Sequence, residues 1–163
     1  MKRKVFFSFH YARDSHRVSQ IRNCQIIESN SGKFERTPFL DRAAFEQIKR
    51  TKGVQKWIDE NMLNTSVVVV CYGYETAQRP WVKYELEKAH REGRGILAIN
   101  TNGMKTMQGF TDPSGTNPLI KTTDGFGKSL FLYDKYRTYL WINDNGRMNI
   151  GDWIESAAKL SGR

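Results

Sequence analysis

In the stretch QRPWVKYELEKAHREG, residues 78 to 93, a tryptophan at 81 stands four residues before a glutamate at 85. On a helix that spacing is slightly more than one turn, so the two side chains are neighbours on one side. At about 100° per residue, Val82, Leu86 and Ala89 fall within roughly 60° of one another and form the inward face. Glu85 lies roughly 60° from Val82, with Trp81 about 40° further round, while Glu87 points nearly opposite into solvent. A carboxylate at a core margin beside an indole is partly desolvated and placed to meet a ligand. The ordinary alternative is that Trp81 packs and Glu85 pairs with Lys88 at i+3 on the surface.

Other residues able to do chemistry depend on where the strands end. KVFFSFH, residues 4 to 10, is β-branched and aromatic and reads as a buried first strand. It leaves Ser8, Phe9 and His10 at a strand's carboxyl end, where open α/β sheets bind ligands. Each also has a plainer role: Phe9 in the core, Ser8 satisfying a backbone group, His10 in a loop without a task. Arg79 is either a solvated charge or a bidentate donor to a phosphate. Asn117 is either a ligand contact or a turn former. His16 and His90 read as surface residues, and Cys24 and Cys71 as core thiols rather than a disulfide or a metal knuckle.

The elements that position these groups follow from periodicity. Val18, Ile21, Cys24 and Ile27 are spaced by threes and predict a first helix, broken by SNSGK at 29 to 33. TPFLD, 37 to 41, predicts a short strand after Pro38. Val54, Trp57, Ile58 and Met62 predict a further helix. NTSVVVVCY then leads into four valines, the pattern of a central parallel strand covered on both faces. Pro80 suits the first turn of the next helix, Gly93 and Gly95 end it, and GILAIN is the following strand. Residues 101 to 128, with five glycines and two prolines, predict a long irregular excursion without an internal partner. SLFLYD and YRTYLWI predict late strands, and GDWIESAAKL a C-terminal helix. The alternation predicts an open, mainly parallel α/β sheet of about five strands with helices on both faces.

The chain has 163 residues and a formal charge of +9, with 39% hydrophobic and 26% charged residues, which fits one folded domain over 1–163. The charge favours an anionic partner. The longest apolar run is far short of a membrane span and no h-region opens the chain, so a soluble, cytoplasmic protein without a membrane partner is expected. GRGILA, 93 to 98, matches G-x-G-x-x-A but ends a helix and enters a strand, the reverse of a dinucleotide fingerprint. Without a Walker A sequence, an H-E-x-x-H or a paired C-x-x-C, nothing argues for ATP hydrolysis or a metal site.

KVFFSFHYARD, NTSVVVVCYGYETAQRPWVKYELEKA and GILAIN together resemble the TIR family, most closely the TIR-like branch that includes the ThsB-type proteins of the Thoeris anti-phage system. The resemblance covers residues 4 to 100, and Asn117-Pro118 is similar to an N-P of the same branch. It departs from animal TIR domains at His10 and Tyr11 and in having RPW where SxW is usual, so their adaptor role does not carry over. It implies a flavodoxin-like fold that cleaves the nicotinamide glycosidic bond of NAD with Glu85 as the catalytic carboxylate. Trp81, Ser8, Phe9, His10, Arg79 and Asn117 then stand as substrate-binding candidates, NAD is a substrate, and no cofactor is needed. The implied product is an ADP-ribose derivative, whether cyclic, an amino-acid conjugate or linear, that activates a partner effector. Self-association and a phage-derived trigger are expected to accompany activity. Two other functions compete: a non-enzymatic interaction module acting by self-assembly, which need not keep Glu85, and a nucleic-acid binder suggested by the charge. Against the second, the basic residues are scattered among acids and not interleaved with aromatics.

Overall fold

The computed structural model describes residues 3–24, 34–37 and 42–163. Along the chain run β1 (Arg3–Ser8), α1 (Tyr11–Arg22), β2 (Phe34–Arg36), α2 (Arg42–Thr51), α3 (Val54–Met62) and β3 (Val67–Tyr72). A 3-10 turn (Thr76–Gln78), α4 (Pro80–Arg91), β4 (Gly95–Asn100) and a short α5 (Pro118–Lys121) follow. A second 3-10 turn (Leu130–Leu132), β5 (Arg137–Leu140) and α6 (Gly146–Leu160) complete the order. The five strands are all parallel in the order β2-β1-β3-β4-β5. The valine run is indeed central: Val67 to Val70 are fully buried because helices cover both faces of β3.

Strand alternation divides the core in two. Val5, Phe7, Val67, Val69, Leu97 and Ile99 face α1 and α6. Phe6, Val68, Val70, Ile96 and Ala98 face α3 and α4. Ser8 has the parity of Phe6 and so turns toward α4. In this strand order the chain leaves β1 and β3 in opposite directions, which opens a crevice at their carboxyl ends.

Four expectations change. β2 forms at Phe34–Arg36, ahead of Pro38; the strand expected over 37 to 41 lies outside the described residues except for Thr37, which follows β2. The predicted first helix ends at Arg22 among the described residues, and Ile27 lies outside them. SLFLYD contains a 3-10 turn instead of a strand, because β5 takes the place beside β4. Ser129 caps that turn, accepting from Phe131 N at 3.4 Å.

The excursion after β4 also has internal partners. Arg17, only 2% exposed, donates from Nε to Met104 O at 3.0 Å and from Nη1 to Asp112 Oδ2 at 2.9 Å. Arg13 grips Asp112 with two bonds of 3.1 Å. A Cβ on Gly115 would lie 1.9 Å from Gly73 O, and one on Gly73 would lie 2.8 Å from Asp14 Oδ1. The excursion therefore crosses the exit of β3 at a contact that Gly115 allows, while Gly73 leaves room for the Asp14 carboxylate.

Candidate functional site

Glu85 lies one turn into α4, on the helix that follows the central strand. Val82, Leu86 and Ala89 seat α4 on the sheet at 3% exposure or less, and Glu85 beside them is 8% exposed. Its Oε2 has no hydrogen-bond partner among the described residues, and neither does the Ser8 Oγ. Burial pushes the Glu85 carboxyl up to about 8, with the nearby Ser8 hydroxyl offsetting a part of that rise. The predicted alternative, a Glu85–Lys88 surface pair, does not form: Lys88 bonds Glu92 at 2.7 Å and lies 3.5 Å from Asp59. An unpartnered buried acid costs the fold stability, which is the usual mark of a group kept for chemistry.

Glu85 forms part of the wall of a cleft of about 330 Å³ at the carboxyl end of β1. Phe9, His10, Arg79 and Trp81 line the same cleft. Trp81 is 38% exposed, held edge-on to Tyr84 with ring centroids 5.7 Å apart. It shares the wall with Glu85, as the helical spacing predicts. Ser8 is fully buried behind Glu85 and does not line the cleft. His10 sits 3.7 Å from Glu75, and its pKa is lowered, chiefly by burial and then by the charge of Arg79. Arg79 donates from Nη2 to Glu75 Oε2 at 3.2 Å, whereas its Nε is buried without a partner among the described residues.

Asn117 is not brought to the cleft. Its side chain caps α5, accepting from Leu119 N at 3.0 Å, and donates to Thr138 Oγ1 at 2.9 Å. An asparagine before a proline at a helix's first turn is a capping pattern, so NPLIK itself carried the signal. His16 is exposed, but His90 is half-buried and bonds the Tyr136 hydroxyl at 2.7 Å. Cys24 and Cys71 are buried free thiols.

The far wall of the cleft holds residues that the sequence reading did not single out. Tyr11 and Phe45 lie ring to ring, with centroids 3.9 Å apart, and Trp57 and Lys49 stand beside them. Phe45 and Lys49 belong to α2, which was not predicted; their i,i+4 spacing was the available clue. Among the described residues no cluster of three or more His, Cys, Asp or Glu could hold a metal, and no helix is long and apolar enough to cross a membrane.

Residues 6–106, more than half of the chain, match the family described as "Thoeris protein ThsB, TIR-like domain". The chain belongs to that family. The match runs from the second half of β1 through β4, and takes in Trp81, Glu85 and every cleft residue named above. A Bacillus cereus (strain MSX-D12) protein, "Putative cyclic ADP-D-ribose synthase ThsB1", is 27% identical over 194 aligned positions that cover 94% of this chain and 100% of the relative. In this ThsB-type TIR domain the half of the fold that matches the family is also the half that builds the cleft.

Proposed function

We propose that this TIR domain serves anti-phage defence by cleaving NAD at the nicotinamide glycosidic bond and releasing an ADP-ribose-derived signal to an effector. The observation that carries the reading is Glu85: a buried carboxyl whose Oε2 has no hydrogen-bond partner among the described residues, on the wall of an aromatic cleft, one turn from Trp81. Family membership and the cyclase name of the B. cereus relative support it.

Nicotinamide departs as a neutral base from a cationic ribosyl pyridinium, taking the electron pair of the broken C–N bond. No general acid is needed, unlike the two-carboxylate scheme of most glycosidases. Positive charge then grows on the ribose, and an ionised Glu85 stabilises that transition state more than the ground state. Trp81 shields one side of the site from water, favouring a nucleophile of the substrate itself over hydrolysis. Attack by a base nitrogen on the ribose carbon gives a cyclic product and attack by water gives ADP-ribose. The relative's name favours the first.

Mass spectrometry of small molecules from cells expressing the protein, with and without phage challenge, tests the reading. Free nicotinamide and a new ADP-ribose isomer are the expected result. Unchanged NAD and nicotinamide under challenge would return the protein to the self-assembling, non-enzymatic module. Self-association is expected to accompany turnover, with light scattering showing a larger species under activating conditions. Full turnover by a monomer would remove that part of the proposal.

A further inference from the structure

One carboxylate at the edge of the cleft gathers three basic side chains. Glu75 Oε2 lies 3.2 Å from Arg79 Nη2, 3.7 Å from His10 Nε2 and 3.9 Å from Arg13 Nη1. His10 and Arg79 line the cleft, while Arg13 stacks over the ring of Tyr74, 5.2 Å from its centroid. Arg79 is also the N-cap of α4, a twelve-residue helix that begins with no side-chain cap and no acidic residue in its first turn. Helix N-terminal amides favour a negative charge. The Arg79 side chain is two-fifths exposed and bonds Glu75 through Nη2, and its Nε is inaccessible and without a partner among the described residues. A guanidinium is suited to paired donation to two oxygens of one anion, and Glu75 uses only part of that capacity.

We propose that Glu75 is an internal stand-in for phosphate: in the free protein it occupies the anion position of a diphosphate subsite formed by Arg79, Arg13, His10 and the start of α4. A diphosphate-bearing ligand displaces the carboxylate and takes over these donors. The inference deepens the nucleotide reading given above and rests on it for the nature of the ligand, but it concerns binding alone. Glu75 is one-third exposed, so moving it aside does not open the core. His10 contributes a ring N–H, its Nε2 lying 3.7 Å from the oxygen that the ligand replaces. Arg13 is tied through Asp112 to the excursion after β4, so it stays in place when Glu75 leaves.

An internal competitor weakens the ligand it mimics, so its removal strengthens binding. Titration calorimetry of the full chain with inorganic pyrophosphate, and separately with ADP-ribose, should show Glu75→Gln binding both more tightly than the parent. A gain of roughly threefold to tenfold is expected at low ionic strength and a smaller one at high salt, the scale of a partly exposed ion pair. Arg79→Gln should lose pyrophosphate binding, and Glu75→Gln added to it should restore none. If Glu75 merely holds the basic side chains in position, Glu75→Gln binds pyrophosphate equally or more weakly, and the proposal is overturned. Absence of measurable pyrophosphate binding in both parent and Glu75→Gln overturns it as well. Because this assay needs no turnover, its failure is separate from that of the NAD reading: nicotinamide release without a Glu75→Gln gain removes the subsite alone. A Glu75→Gln gain without nicotinamide release leaves the subsite and removes the cleavage.

Discussion

Glu85→Gln is expected to lower nicotinamide release from NAD by about 10²-fold or more, the scale on which removal of one transition-state electrostatic group is felt. Glutamine preserves the size of the side chain and most of its hydrogen-bonding capacity, so the loss reports charge. Glu87→Gln, two residues along the same helix and outside the cleft, should keep parental turnover. The pH dependence makes the claim sharper. The Glu85 carboxyl is raised to about 8 in the free protein, so if the ionised form does the work, kcat/KM rises about tenfold per pH unit below that value and levels off above it. A cationic nicotinamide ring beside the carboxyl favours its ionised form, which places the corresponding limb of kcat at lower pH.

Stability moves in the opposite sense. Between the ordinary glutamate range and about 8, the folded protein holds a proton at Glu85 that the unfolded chain has released. Stability contributed by this group therefore falls as pH rises through that window and is flat above it. Glu85→Gln should match the parent's thermal midpoint near pH 5 and exceed it at pH 9 by on the order of 10 °C. Near-parental turnover in Glu85→Gln would remove the catalytic reading, and a midpoint difference that does not change with pH would remove the raised Glu85 pKa.

The sequence made this half of the site readable because it depends on local periodicity. The helix phase of Val82, Leu86 and Ala89 decides where Trp81 and Glu85 point, and the unbroken burial of Val67 to Val70 is what a strand covered on two faces looks like in one dimension. Ser8, expected among the ligand contacts at the end of β1, shares the parity of Phe6 and is buried instead of lining the cleft. The opposite wall could not be read in the same way. Phe45 is on α2, a helix that was not predicted, and Tyr11 meets it only through tertiary packing. The anchors of the excursion after β4 are further still from local pattern, since Asp112 is 95 positions from Arg17. SLFLYD misled for a related reason. Its apolar residues suit a strand, but Ser129 ties it to the Leu119 and Ile120 carbonyls of α5 and Leu130 is buried there, while β5 pairs with β4.

Arg17→Met is expected to produce the largest loss of stability among single changes away from the cleft. Arg17 is nearly inaccessible, and the Asp14 carboxylate that it bonds at 3.0 Å is fully buried. Burial raises the Asp14 pKa, with Arg17 and then the Thr76 hydroxyl at 3.3 Å pulling it back down. Removing the guanidinium leaves that carboxylate without its cation, frees the Met104 carbonyl and leaves Asp112 held by Arg13 alone. Breaking a buried pair in this way costs about 3–5 kcal/mol, which for a chain of this size lowers the midpoint by on the order of 10 °C. Asp14→Asn added to Arg17→Met should recover part of the loss, because the stranded charge is then gone. Hydrogen exchange should accelerate first across residues 104 to 112, the stretch that Arg17 holds against α1. A midpoint within about 2 °C of the parent, or a double variant worse than Arg17→Met alone, would show that the network is not what fastens the excursion. The consequence reaches the cleft through a single side chain: Arg13 bonds Asp112 at 3.1 Å and lies 3.9 Å from Glu75. An excursion loosened at Asp112 therefore slackens the group of side chains that Glu75 gathers at the mouth of the site.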